Sequence, residues 1–368
     1  MKTAFTYVLV VCLSVAGALA LWIVPQALYD PPRTPYDVSL FLEENPVVQS
    51  DSRVGFVIRP NISVIAFAGK VAYPVHTDGR SARVDAPGKQ SPGQVDIITV
   101  GCSVSWGDGV ENQDTFTSIV ARKLGLTAAN LSWSSFSGLQ AAERITSNID
   151  LKPKYIIYGF FEQHLDRNVR PCSEIRSPIC LRRPYITFAN GPRTVPALAD
   201  QSDSLAEIRR WYRATAQSTD AFRSRWTDIY WTGREKIRQV LTVLEKSADP
   251  TDAEKITAQL IVLERMKRQA SELGARLIIA YIPLYFTDVK DPADAFVHFA
   301  QEQGATLVNL APALRSMKAA GRTIGIPGDG HPTSETHAAF ATEILKAVRS
   351  LSGFARPNEE THSPSDAP

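Results

Sequence analysis

Among the side chains of this sequence that could make or break covalent bonds, Ser103 and His331 have the most suggestive surroundings. Ser103 follows the apolar run "VDIITVGC" and precedes the turn "WGDG", so a hydroxyl stands where a buried strand ends and a tight turn begins. A serine hydroxyl is a poor nucleophile until a base takes its proton, and the base best matched to neutral pH is a histidine. The chain has six histidines. His76 lies in a turn-rich lead-in, His362 in a polar tail, His298 and His337 within helical patterns, and His164 just beyond an apolar strand. His331 sits in "IPGDGHPTSETH", a loop that opens the last helix, with Asp329 two residues before it and able to hold the imidazole by its other nitrogen. Serine, histidine and aspartate in this arrangement would form a triad for acyl transfer. The plainer reading of Ser103 is a turn residue at a strand end, and that of His337 a packing residue at a helix start.

The elements that must position these groups alternate in type. Apolar runs at 95–100, 128–133, 155–160, 276–282 and 305–310 read as strands covered on both faces. Between them lie helical patterns. The first begins near Asp114, carries Phe116, Ile119, Val120 and Leu124 on one face, and stops at Gly125. "GLQAAERITSN" is a second, and a third opens with a capping box at Thr251 and Glu254 and closes before Gly274. Repeated strand–helix units imply a parallel sheet with helices on both faces, whose ligands bind at the carboxyl ends of the strands. Ser103 and His331 both fall at that edge. Residues 26–94 read as an extended lead-in with small β elements, and residues 169–250 as an insertion with Arg- and aromatic-rich helical stretches. Trp211, Tyr212, Trp226, Tyr230 and Trp231, interleaved with Arg209, Arg210 and Arg225, could form a sugar-stacking or anionic-glycan surface, or simply pack the insertion onto the sheet.

The pairing of "VGCSVSWGDGV" with "DGHP" before a C-terminal helix resembles the SGNH (GDSL-type) hydrolase superfamily, above all its bacterial, exported members associated with surface polysaccharides. The resemblance spans about 95–355. It implies an α/β, flavodoxin-like three-layer fold with a central five-stranded parallel sheet, here carrying a helical insertion. It also implies ester hydrolysis or acyl transfer, with Ser103 as nucleophile, His331 as base and Asp329 as its partner. The sequence departs from the family pattern at several points. Cys102 stands where the family has Asp, and Asp329 is one residue closer to the histidine than usual. The oxyanion-hole donors implied are the Ser103 backbone N–H and the region of Ser135 and Gly138. Phe161 replaces the side-chain amide donor of the third block, leaving Gln163 or His164 to supply it, unless His164 instead braces that loop through a hydrogen bond. If neither does, the same residues imply a non-catalytic module that binds a polysaccharide or helps assemble a membrane complex.

Bulk properties narrow the partners. With 40 basic and 38 acidic residues the net charge is +2, which gives no electrostatic reason to expect nucleic acid. There is no zinc-type Cys/His spacing and no P-loop lysine, and Gly101, Gly107 and Gly109 lack the spacing of a phosphate cradle; the chemistry expected needs no metal and no organic cofactor. The expected partners are a carbohydrate or other acylated small molecule and, through the N-terminus, a membrane. Lys2 precedes the apolar run 7–24, long enough to cross a bilayer, while "ALA" at 18–20 also fits a cleavage site. Residues 1–25 read as an anchor in a bacterial inner membrane, with the folded part in the periplasm, as the signal of a secreted protein, or as a buried helix. Of the four cysteines, Cys172 and Cys180 lie close enough to pair in an oxidising compartment or remain free thiols. Residues 356–368 are polar and read as a disordered tail.

Overall fold

The computed structural model describes residues 47–173, 179–216, 249–285 and 288–352, with Gly17. The apolar run 7–24, the tail, and Arg225, Trp226, Tyr230 and Trp231 of the insertion therefore lie outside the described residues, Gly17 apart. No helix among the described residues is long and apolar enough to cross a membrane.

The chain opens with an antiparallel hairpin of β1 (Val48–Asp51) and β2 (Gly55–Ile58). Three further lead-in strands follow: β3 (Ser63–Ala68), β4 (Val71–Thr77) and β5 (Arg83–Val84). The alternating part then runs β6 (Ile97–Gly101), α1 (Ser103–Trp106), α2 (Phe116–Leu124), β7 (Ala128–Asn130), α3 (Gly138–Thr146), β8 (Tyr155–Phe161) and α4 (His164–Arg167). The insertion contributes β9 (Cys172–Ser173), β10 (Leu181–Arg182), β11 (Tyr185–Thr187), β12 (Arg193–Val195) and α5 (Ser202–Ala216). Its described part is thus two small hairpins before a helix, rather than helical throughout. The chain returns to the sheet with α6 (Asp252–Glu272), β13 (Arg276–Ile282), α7 (Asp294–Gln303), β14 (Thr306–Asn309), α8 (Ala311–Ala319) and α9 (Ser334–Ser352).

The main sheet has eight strands in the order β14-β13-β8-β6-β7-β5-β4-β3. Its five parallel members, numbered by first appearance, stand in the order 5-4-3-1-2, the flavodoxin-like winding. The five-stranded sheet read from the sequence is therefore the parallel part of a larger one. The lead-in supplies three more strands, joined antiparallel by the pairing of Arg83 with Asn130. The missed signal is short: β5 has two residues and meets β7 at one.

Strand alternation explains the layers. All seven residues of β8 are buried. Ile156, Tyr158 and Phe160 pack with Leu139, Val262 and Phe296 of α3, α6 and α7. Tyr155, Ile157 and Phe161 pack with Phe116, Leu314 and Phe340 of α2, α8 and α9. Burial of such an apolar side chain contributes about 1.5–3 kcal/mol. A third cluster joins the lead-in strands to Trp106, Trp133 and Phe136, so the lead-in covers the loops that carry the site. Capping follows the sequence: Thr251 and Glu254 form the expected box, as do Ser137 and Gln140 on α3. The first long helix differs slightly. A 3-10 turn occupies Asn112–Asp114, and Thr115 rather than Asp114 caps α2 through its hydroxyl.

Candidate active site

Ser103 is the first residue of α1, immediately past the carboxyl end of β6, and is 8% exposed. The loop after it is held from three sides. Its own carbonyl accepts from Gly107 N (2.9 Å) and Asp108 N (3.1 Å). Arg83 of β5 donates to the Trp106 and Gly107 carbonyls at 2.6 Å and to that of Val110. Asn130 of β7 donates to the Ser105 carbonyl at 2.9 Å. A buried arginine sharing its donors among backbone carbonyls satisfies groups that would otherwise destabilise a buried loop. Arg83 and Asn130 carry no sequence signal for this role, because each lies in a strand of three residues or fewer.

His331 arrives from the far end of the chain on a tight turn. Ile326 N donates to the His331 carbonyl (2.7 Å) and Gly330 N to that of Ile326 (2.8 Å). Gly328 and Gly330 have φ of 78° and 92°, values that side chains other than hydrogen disfavour. That turn lets Asp329 fold back: its Oδ1 accepts from the His331 backbone N–H (3.3 Å) and hydrogen bonds to Nδ1. The spacing of two residues between Asp329 and His331 is therefore sufficient. The Asp329 side chain is 1% exposed, whereas that of His331 is 23% exposed. The β3–β4 turn closes over this loop, for a Cβ on Gly69 would lie 2.9 Å from the Pro327 carbonyl.

The imidazole meets the Ser103 loop at Asp108. His331 Nε2 lies 3.7 Å from Asp108 Oδ2. The same carboxylate accepts from the Tyr73 hydroxyl (3.0 Å) and from the Ser134 hydroxyl (2.6 Å). His331 thus approaches the loop that begins at Ser103 through Asp108, whose backbone N–H donates to the Ser103 carbonyl, while Ser103 Oγ makes no hydrogen bond among the described residues. Such bonds are often formed only with substrate present. Tyr73, Asp108 and Ser134 were not legible as site residues; the one hint is Asp108 in the turn after the serine. Tyr285 also borders the site. Burial, then the neighbouring Cys102 and Asp329 charges, hold its phenol well above the ordinary value, so it stays a neutral hydroxyl.

The expected oxyanion donors are dispersed. Gly138 starts α3 and faces the interior: an added Cβ would lie 2.7 Å from the Tyr158 hydroxyl and 2.9 Å from Val262. Its lack of a side chain lets α3 pack closely against Tyr158 and Val262. His164 is fully buried, its Nδ1 2.7 Å from the Tyr158 hydroxyl and its ring stacked on Tyr158 and Phe160. Burial first, then the Arg167 and Arg183 charges, push its pKa far down, so it is a neutral brace and no donor at the rim. Gln163 Oε1 accepts from Arg167 (2.8 Å). Ser135 has φ of 62° and lines a cavity with Gln163. Phe161 and Cys102, two of the departures from the pattern the sequence resembles, lie in one apolar cluster with Phe116 and Tyr285. A carboxylate in place of Cys102 would be buried among apolar groups at high cost.

Two other assignments concern structure rather than chemistry. His337 packs against Phe116, its Nδ1 accepting the Phe116 N–H at 3.3 Å, and burial pushes its pKa down to about 3. Cys172 and Cys180 are joined as a disulfide with Cα atoms 5.0 Å apart. Among the described residues no group of acidic, histidine or cysteine side chains could hold a metal ion.

No protein-family model matches the chain. No curated protein matches it either. Among solved structures, it is similar to TesA at 12% identity, covering 69% of this chain and 98% of that one, with a TM-score of 0.38. The psychrotrophic esterase EstA from Pseudoalteromonas sp. gives 10% identity, 70% and 99% coverage and a TM-score of 0.37. A two-domain esterase active on acetylated mannans gives 10% identity, 71% and 50% coverage and a TM-score of 0.39. Likeness at this level says nothing about what this chain acts on, and the function has to be argued from the side chains.

Proposed function

We propose that this chain is a serine-dependent enzyme that cleaves or transfers ester groups on a glycan or similar polyol. The supporting observation is the Asp329–His331 pair seated over the loop that begins at Ser103, at the carboxyl end of the first parallel strand. In this reading Ser103 Oγ attacks the ester carbonyl and His331 Nε2 takes its proton. Asp329 fixes the tautomer through Nδ1 and stabilises the imidazolium that forms. The tetrahedral intermediate collapses as His331 passes the proton to the departing alcohol, leaving an acyl-serine. Water or a sugar hydroxyl, activated by the same imidazole, then releases the acyl group. The Ser103 backbone N–H and the Ser135 segment are the oxyanion donors left to this account. The Cys172–Cys180 bond and the apolar run at 7–24 support placement outside the cytoplasm, on a membrane anchor or after secretion.

The test is turnover of a small aryl acetate by the chain, with Ser103→Ala and His331→Ala beside it. Loss of turnover in both is expected. Activity that persists in folded Ser103→Ala would remove the proposed nucleophile. One observation favours a second reading, that of a non-catalytic binding module: Phe161 fills the third-block position and His164 is turned into the core. That reading predicts no turnover together with retained binding of a polyol.

A further inference from the structure

A cavity of about 250 Å³ has a polar lining that includes Ser135, Gln163, Asp166, Arg167, Arg170 and Arg183. Its position follows from the sheet. Ser135 comes from the segment after β7, and residues 163–170 from the segment after β8. β7 and β8 are the two neighbours of β6, so the cavity takes its lining from the segments that follow the strands on either side of the one leading to Ser103. In such sheets ligands bind at the carboxyl ends of the strands, where the winding reverses.

The lining contains three arginines against one aspartate. Arg167 is fixed by bonds to neutral oxygens, Gln163 Oε1 at 2.8 Å and the Phe136 carbonyl at 3.3 Å. Arg183 donates to the Ser135 carbonyl at 3.2 Å and to the Cys172 carbonyl, tying the insertion to the wall. Asp166, the aspartate, is shared: it lies 3.1 Å from Lys255 and 3.8 Å from Arg170. The Arg170 side chain is 55% exposed and its ion pair is long. It is the group most free to meet a ligand. The Arg167 and Arg183 charges also help lower the pKa of His164 behind the cavity, as a positive local field must.

Fixed arginine forks favour carboxylate and phosphate oxygens over neutral hydroxyls. We infer that this cavity binds an anionic group of the substrate, so that the acylated polyol handled at Ser103 carries a carboxylate or a phosphate close to its ester. The inference rests on the reading of Ser103 as part of an ester-handling site, and its test does not require turnover. Binding of glucuronate, glucose 6-phosphate and glucose to the full Ser103→Ala chain is measured by calorimetry at low salt. At least one anion is expected to bind about tenfold more tightly than glucose, and the tighter of the two identifies the group. Arg170→Gln should weaken that anion about five- to tenfold, and Arg170→Lys, which keeps the charge, by less than threefold. Circular dichroism checks that each variant is folded. Equal binding of all three sugars, no binding of either anion, or an unchanged constant in folded Arg170→Gln overturns the inference. Anion binding that survives while the parent chain cleaves no ester overturns the hydrolytic reading alone.

Discussion

Replacing Asp329 by Asn probes the two-residue spacing on which the site depends. The carboxylate is 1% exposed and holds both the backbone N–H and Nδ1 of His331. Asn has nearly the same shape, so the turn should still form. Two effects then act on the rate. A hydrogen bond to a charged partner is worth about 1.5–3 kcal/mol, so losing the charge costs about 10- to 150-fold. The amide can also turn its NH2 toward Nδ1, which favours the tautomer protonated on Nε2 and unable to accept the serine proton. In a protease triad that change costs about 10,000-fold in kcat. The expected result lies between about 100- and 10,000-fold in kcat, with KM within about threefold, because the interaction matters mainly in the transition state. Aryl acetate hydrolysis measures it, with Ser103→Ala as the floor and a thermal melt to confirm folding. A folded Asp329→Asn chain whose kcat stays within threefold of the parent would refute the reasoning.

Gly159→Ala, in the middle of the sheet, would bring a Cβ to 1.8 Å from Ser105 Oγ; a loss of about 1–3 kcal/mol is expected, read as a lower Tm, and an unchanged Tm would mean the serine can move aside. Acid should destabilise the fold through His337, whose folded pKa is about 3 against an ordinary imidazole value of 6.5. The unfolded chain takes up the proton as pH falls through 6.5 and the folded chain does not until about 3. The stability is thus full above 6.5 and lost on acidification, by about 2 kcal/mol at pH 5. His337→Gln, keeping an acceptor for Phe116 N–H, should flatten the decline of Tm between pH 7 and 5, and an identical decline would exclude His337 as its source.

What was legible in the sequence was whatever depended on local pattern. Apolar-rich runs marked all five parallel strands, most clearly at β6, β8 and β13, where nearly every residue is buried. The box at Thr251 and Glu254 and the stop at Gly125 marked helix ends through backbone groups that only certain residues satisfy. Ser103 and Asp329–His331 were legible because strand ends and helix starts are where this architecture exposes side chains. The small β elements of the lead-in were legible, but not their junction with the main sheet, since β5 has two residues and meets β7 only at Asn130. Nor was the cluster of Tyr73, Asp108 and Ser134, which come from three separate segments and meet only in the fold. The sequence left His164 open between an oxyanion donor and a hydrogen-bonded brace, because its burial against Tyr158 and Phe160 is decided only by the fold.

The central claim is that Ser103 is a nucleophile activated by His331. An aryl organophosphonate reacts with such a serine and little else, and mass spectrometry reports the adduct. The account predicts one adduct per chain at Ser103, absent in Ser103→Ala and formed at least about 100-fold more slowly in His331→Ala. A folded parent chain that forms no adduct, or one that forms it as fast without His331, would contradict the account.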